Sequence, residues 1–505
     1  MIMNKFCEVN NMQKITTFRK KFIDSNGRER IFNGVNLCDK GYSNPSGEGK
    51  IYDVPFDDEL IKKLSQNGFN IVRLGMTWDA VEPQPFKYNE EYLDKIERVA
   101  DSCAKYGIYF YLDMHQDLYS GFEGTYGDGA PAWACLTNGI KPPKKTRLVW
   151  AEGYFWGRAV HKCFDNFWAN SYYEGIPLQT YFCKMWQHVA ERFKDHPALF
   201  GFDMLNEPFP GTDGGKVFRK LVFSVAKTVI TDKRCNIMKM AKDLFGGNAI
   251  KVLDPFEDPA LFRKVTSAAD DIINKFDTGV YSQFLNRTAK AIRNVTDNGI
   301  MMMENSYYSN LGIPYSTPVI NYDGKREKKV CFAPHAYDLM VDTPAYKYAS
   351  NSRVGSIFDE HKRSQDRLDV PVIVGEWGGT SEGYEWLHHI RYLLDKFDGN
   401  RWSNTYWCYY DGMLTDPIMT CINRTSPVAV CGDITECKTD RENEIFTLVY
   451  EQDKEYELPT EIFVHKPAAS IECSAEYTLE PIEGCDASFL KINGKPGTNK
   501  VTIRF

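Results

Sequence analysis

The 505-residue sequence predicts an α/β fold, a (β/α)8 TIM barrel followed by a C-terminal antiparallel β-sandwich domain. Three observations carry that expectation. The chain is longer than one hydrophobic core usually supports, so two domains are the prior. Eight short apolar runs recur along it, followed sooner or later by helical patterns, as in a parallel sheet covered on both faces; the count of eight points to a barrel. From about residue 425 the pattern changes to period-2 strands with no helix between them.

In order, "KKFIDSNGRERIF" reads as a hairpin turning at Asn26-Gly27. The eight runs are "IFNGVNL" (31–37), "NIVRLGM" (70–76), "IYFYLDMH" (108–115), "LFGFDMLNE" (199–207), "GIMMMENS" (299–306), "VCFAPHAY" (330–337), "VPVIVGEW" (370–377) and "NTYWCYYDG" (404–412). Pro208 is expected to end pairing of the fourth. Between runs, "EEYLDKIERVADSCAKYG" has helical apolar spacing and a stop at Gly107. Two connections exceed what a barrel needs, 116–198 and 209–298. Loops after barrel strands lie on the catalytic face, so both should build walls or a lid there. The first holds the Gly-rich, aromatic stretch "YSGFEGTYGDGAPAWACL", and the second holds amphipathic helices. The barrel is assigned to 1–424 and the sandwich, with strands such as "EIFTLVYEQ" and "KVTIRF", to 425–505 as a brace.

Composition narrows the function. Hydrophobic residues at 43% and charged residues at 26% are ordinary globular values, whereas aromatics at 14% run high and suit sugar-binding clefts. A net charge of −7 with scattered lysines and arginines argues against a nucleic-acid partner. The N-terminus lacks the apolar core of a signal peptide, so the expected compartment is the cytoplasm, with secretion only if a leader has been removed. The 14 cysteines are spread singly, which points to free thiols rather than a disulfide framework or zinc site. Sequons at Asn286, Asn294 and Asn423 matter only in a secretory pathway.

Reading only the carboxyl ends of the strands gives an unusually polar set: Lys40, Arg73, His115, Asp117, Asn206, Glu207, His335, Tyr337, Glu376 and Trp407. Singly, Arg73 reads as a structural ion-pair partner, His115 as a core histidine and Trp407 as a barrel plug. Packing alone does not explain them all at strand ends. Two carboxylates facing one cleft are what glycosidic bond cleavage requires: one protonates the leaving oxygen while the other attacks the anomeric carbon or activates water. Arg73 could hold one acid ionised, with His335 and Tyr337 bonding to it, so that the two acquire different pKa values. A metal-dependent hydrolase would want an HxH pair or clustered carboxylates at the first strand, and "NGVNLCDK" offers neither. No metal or cofactor is expected. A silent carbohydrate-binding barrel would be expected to have lost one of the acids.

Taken in order, "NGVNL", "VRLGMTWDAVEP", "DMHQD", "LNEP", "HAYD", "VGEW" and "WCYYD" resemble the motifs of glycoside hydrolase family 5 over residues 30–412. "DMHQDLYSG" and "YGDGAPAWA" are similar to its endoglycoceramidase branch, whose members carry a C-terminal β-sandwich. The resemblance implies a retaining β-glycosidase with Glu207 as acid/base and Glu376 as nucleophile. Asn206 would bind the sugar 2-hydroxyl, Arg73, His335 and Tyr337 would orient the nucleophile, and Lys40, His115, Asp117 and Trp407 would hold the same sugar. It further implies hydrolysis between sugar and lipid in glycosphingolipids, of endoglycoceramidase or glucosylceramidase type, by a monomer touching a membrane surface transiently. The alternative is a β-glucosidase or endoglucanase acting on soluble oligosaccharides or steryl glucosides.

Overall fold

Eight parallel strands pair in chain order: β1 (Asn33–Cys38), β2 (Ile71–Thr77), β3 (Tyr109–His115), β4 (Leu199–Asp203), β5 (Ile300–Glu304), β6 (Val330–Ala333), β7 (Ile373–Val374) and β8 (Ser403–Tyr406). β8 returns to pair with β1, and a bridge between Phe332 and Val372 joins β6 to β7 and closes the barrel. The computed structural model describes residues 12–44, 49–121, 127–142, 150–246 and 249–505. Residues 1–11, on which the reading of the N-terminus rests, and residues 122–126 of the Gly-rich stretch lie outside the described residues.

Every expected barrel strand is present, and the differences are at their ends. β4 stops at Asp203 rather than running to Glu207. Proline is not the cause: the chain leaves the ladder before it, although Asn206 N–H still donates to Met114 O at 3.0 Å. β6 and β7 are each interrupted and then resume, so that His335–Ala336 pairs in register with Glu376–Trp377. That second pairing sets His335 beside Glu376. β8 ends at Tyr406, ahead of a cis Trp407–Cys408 peptide.

The helix Glu90–Lys105 shows why the pattern was readable. Asn89 caps its first turn by accepting from Tyr92 N–H, and Tyr92, Leu93, Ile96, Val99, Ala100 and Cys103 make its buried stripe. The chain then turns through Gly107 at φ 72°, a conformation glycine adopts without steric cost.

The C-terminal unit is a sandwich of antiparallel strands, with one sheet of four strands and one of seven. Its core joins Val430, Ile462, Leu490 and Ile492 to Phe446, Leu448, Val501 and Ile503. The N-terminal hairpin, formed by Lys21–Asp24 and Glu29–Arg30, joins the larger sheet through Arg30 and Glu29 paired with Ala429 and Val430. The same hairpin sends Phe22 into the barrel floor, against Phe32 and Phe200. One ribbon therefore couples the sandwich to the end of the barrel opposite the polar mouth.

Candidate active site

The site is built around Arg73, which lies inside β2 and is fully buried. Its guanidinium donates to Asp203 Oδ2 at 3.0 Å, Glu304 Oε1 at 2.8 Å, Glu376 Oε1 at 2.6 Å and the amide oxygens of Asn36 and Asn206 at 3.1 and 2.9 Å. Asp113 Oδ1 lies 2.9 Å away. Four carboxylates around one cation would leave excess negative charge in a dry interior, where it is most costly. Burial answers this by raising the pKa of Glu304 well above the carboxylate range, and the neighbouring charges of Asp203 and Asp113 act in the same direction. Arg73 thus fixes Glu376 and Asn206 from below, which is more than the nucleophile contact expected of it.

Glu376 accepts from Arg73 Nη1 on one oxygen and from the Tyr337 hydroxyl on the other, at 2.6 and 2.8 Å. Both oxygens are engaged, a pattern suited to an ionised carboxylate held in one orientation. His335 is placed differently from expectation. Its Nδ1 is 3.3 Å from Glu207 and 3.7 Å from Glu376, so it stands between the two acids and bonds to the other one. Burial lowers the pKa of His335 to about 3, giving a neutral imidazole that adds no charge.

Glu207 sits just past β4 at φ 42°, held in that left-handed conformation by its N–H donating to Glu304 Oε2 at 2.6 Å. Its side chain accepts from Asn310 Nδ2 at 2.6 Å. Burial, reinforced by the negative charge of Asp117, pushes its pKa up to about 7. The carboxyl oxygens of Glu207 and Glu376 approach within 4.8 Å. Both carboxyls therefore face one small space, as a pair acting on a single glycosidic bond requires.

A third group forms the adjoining wall. Trp407 stacks on His115 at 5.1 Å, and the Lys40 ammonium lies 5.0 Å from the Trp407 ring centre. Lys40 hydrogen-bonds Asp117 and stands 3.7 Å from Asp128. His115 Nδ1 donates to Asp113 Oδ2 over 2.9 Å, and although burial and Lys40 both oppose its charge, Asp113 and Asp117 raise its pKa to about 10. This is a ring of alternating charge beside an aromatic face, which is chemistry that binds sugar hydroxyls and stacks on a pyranose.

All ten expected residues therefore meet at one mouth. Sequence reading missed Asp128, Asn310, Glu304 and Asn36. Glu304 was recoverable by the same strand-end rule, because it closes β5, and Asp128 lies inside the quoted "YGDGAPAWA". Asn310 lies in a turn after β5, where local sequence carries no signal. Three acidic or histidine groups among the described residues have spacing a metal could use: His115–Asp117–Asp128, Asp113–Asp203–Glu304 and Glu207–His335–Glu376. In the first two a protein cation, Lys40 or Arg73, already lies among the carboxylates.

The polar mouth opens into one cavity of about 800 Å³. Its far wall is apolar and comes from the second insertion: Phe218, Leu221 and Val225 of α1 (Thr212–Thr231), Leu253 and Phe256 of the 3-10 segment Ala249–Glu257, and Phe262 of the helix Pro259–Thr266. Trp150 and Phe155 of the first insertion also line it. Both long connections contribute walls, as expected from their positions after β3 and β4.

An eight-stranded barrel whose mouth holds two buried carboxylates facing each other, beside an aromatic and charged wall, is the architecture of a glycoside hydrolase. The chain belongs to glycoside hydrolase family 5: the family model described as cellulase (glycosyl hydrolase family 5) matches residues 23–241 and 273–412, and that of the glycoside hydrolase family 5 C-terminal domain matches 424–504. It is similar to endoglycoceramidase I of Rhodococcus hoagii, 26% identical over 454 residues that cover 88% of this chain and 78% of that protein. It is also 33% identical over 210 residues to an endoglycoceramidase of Hydra vulgaris, covering 37% of this chain and 39% of that one, so the match spans about two fifths of that relative. The solved endo-glycoceramidase II from a Rhodococcus species has the same fold, with a TM-score of 0.71 at 23% identity over 95% of this chain and 98% of that one.

Proposed function

We propose that the protein is a retaining β-glycosidase that hydrolyses the bond between sugar and lipid in glycosphingolipids. The supporting observation is a single cavity with the acid pair at its polar end and an apolar channel leading away. Moving an acyl chain from a bilayer into water costs about 0.8 kcal/mol per methylene, so an enzyme acting on such a substrate needs an apolar lining to receive the chain. A soluble oligosaccharide gives no reason for one. The endoglycoceramidase names of the relatives agree with this reading. Glu207, whose raised pKa keeps a large share of it protonated near neutral pH, gives its proton to the departing lipid oxygen as Glu376 attacks the anomeric carbon. Glu207 then takes a proton from the water that releases the sugar.

The test is the Leu221→Arg variant. Turnover of a glucosyl- or lactosylceramide should fall about 100-fold, because the chain must lie against an unpaired charge, while hydrolysis of a water-soluble aryl β-glucoside stays within about twofold. A product screen over glucosyl-, galactosyl- and lactosylceramide, a steryl glucoside and cello-oligosaccharides completes it. Equal loss on both substrate types, or preference for cello-oligosaccharides, would sink the proposal.

The pH profile gives a second check. A group with a raised pKa is protonated below it, so the acid form of Glu207 is lost as pH rises through about 7, and kcat/KM should fall with it. Asp117→Asn removes a charge that raises the pKa of Glu207 and should move that alkaline limb toward acid. A limb that stays in place, or moves to higher pH, contradicts the assignment.

A further inference from the structure

We propose that α1 and the helix after it, α2 (Ile237–Phe245), form a docking face for an anionic phospholipid bilayer and set the channel entrance against it. This extends the glycolipid reading, on which it rests for its purpose, but its physical basis is separate.

The two helices carry apolar stripes that face outward. In α1 the stripe is Val222, Phe223, Ala226, Val229 and Ile230, of which Val229 packs partly on the core, and in α2 it is Ile237, Met238, Ala241, Leu244 and Phe245. Both have the same offsets, one, four, seven and eight residues from the first, which define one side of a helix. In a soluble protein such a side normally packs on the core. Here Phe223 is 76% exposed, Ile230 72%, Met238 83% and Phe245 87%. Scattered exposed apolar residues need no explanation, but two successive helical stripes do. Val222 is at once 53% exposed and part of the channel lining, so the outer face of α1 runs into the channel lip. α2 packs on the 3-10 segment that supplies Leu253 and Phe256 to the same channel.

Charge identifies the surface. Residues 216–251 hold nine lysines and arginines against two aspartates, in a chain whose net charge is −7, and of the nine Lys216, Lys220, Arg234 and Lys239 are ion-paired with aspartates. Lys227, Lys233 and Lys242 are exposed and make no ion pair among the described residues. An acidic protein is repelled from an anionic bilayer on most sides, so a local basic and apolar face gives it one preferred orientation. The basic side chains meet lipid phosphates and the rings and aliphatic groups enter the interface, as interfacial amphipathic helices do. A lipid in that bilayer would then reach the catalytic carboxylates through the apolar channel without crossing water.

The experiment compares wild type with a variant carrying Phe223→Ser, Ile230→Ser, Met238→Ser and Phe245→Ser, none of which lines the cavity. Wild type should co-sediment with phosphatidylcholine vesicles containing phosphatidylserine, and salt should weaken this. The variant should bind roughly tenfold less well, hydrolyse a soluble aryl β-glucoside as wild type does, and lose turnover of glycolipid embedded in vesicles. Absence of wild-type binding, undiminished binding by the variant, or a dimer in sedimentation equilibrium that the variant dissolves would overturn docking. Glycolipid turnover in detergent micelles without vesicle binding would also overturn docking and leave the substrate reading intact. Vesicle binding with no glycolipid turnover in any medium would support docking and remove the substrate reading.

Discussion

Glu376→Gln is expected to abolish turnover, with kcat on an aryl β-glucoside reduced by at least about 10⁴-fold, the scale on which loss of a covalent nucleophile is felt. The amide is close in size and can still meet the Tyr337 hydroxyl and the Arg73 guanidinium, so the fold and the sugar wall should survive. What disappears is the attacking oxygen. The partner variant, Glu207→Gln, should behave differently: it loses proton delivery, worth about 10²–10⁴-fold, chiefly on substrates with a basic leaving group such as a lipid alcohol. With an activated aryl leaving group the first step needs little acid help. The glycosyl-enzyme should then accumulate on Glu376 and be detectable by mass, because no base remains to activate water. Equal losses in both variants on both leaving groups would remove the assignment, and label appearing on Glu207 in the Glu376→Gln variant would reverse it.

The barrel and its two acids were legible in the sequence for a physical reason. Parallel strands buried on both faces must be nearly all apolar, so an Asn-Glu or Gly-Glu at the end of such a run stands out. The same reasoning failed where the determinants are not local. The hairpin of residues 21–30 shows only a turn; its pairing with Ala429 and Val430 depends on contacts about 400 positions away. Asp433–Asp440 and Ser470–Cys473 are edge strands of the smaller sandwich sheet with little burial, and their mixed pattern hides them. The placement of His335 between the acids follows from the resumed pairing after Pro334 and Gly375, a break in the ladder that no periodicity encodes. The helices of the second insertion were recognisable as amphipathic, yet which side would face the core could not be read from spacing alone. In α2 the apolar side is the exposed one.

Arg73→Met is expected to cost both activity and stability, and its pH dependence separates an electrostatic cause from lost packing. The substitution keeps most of the volume but leaves Asp113, Asp203 and Glu376 buried without their cation. Breaking a buried ion pair by removing one partner typically costs about 3–5 kcal/mol, so the urea midpoint should fall clearly and kcat should collapse as Glu376 and Asn206 lose their anchor. Unpaired buried carboxylates have raised folded-state pKa values. Between the unfolded value and the raised one the folded protein binds more protons, so stability is greatest at acid pH and is lost as pH rises through the raised pKa. In wild type, burial already raises Asp203 to about 6. The variant should extend that loss and make its stability fall more steeply between mildly acid and neutral pH. Arg73→Lys, which keeps the charge but cannot bridge Asp203, Glu304 and Glu376 together, should recover stability more fully than activity. Should Arg73→Met show a pH-independent deficit, or match wild type at neutral pH, the guanidinium would be filling space and the charge account of the site would fail.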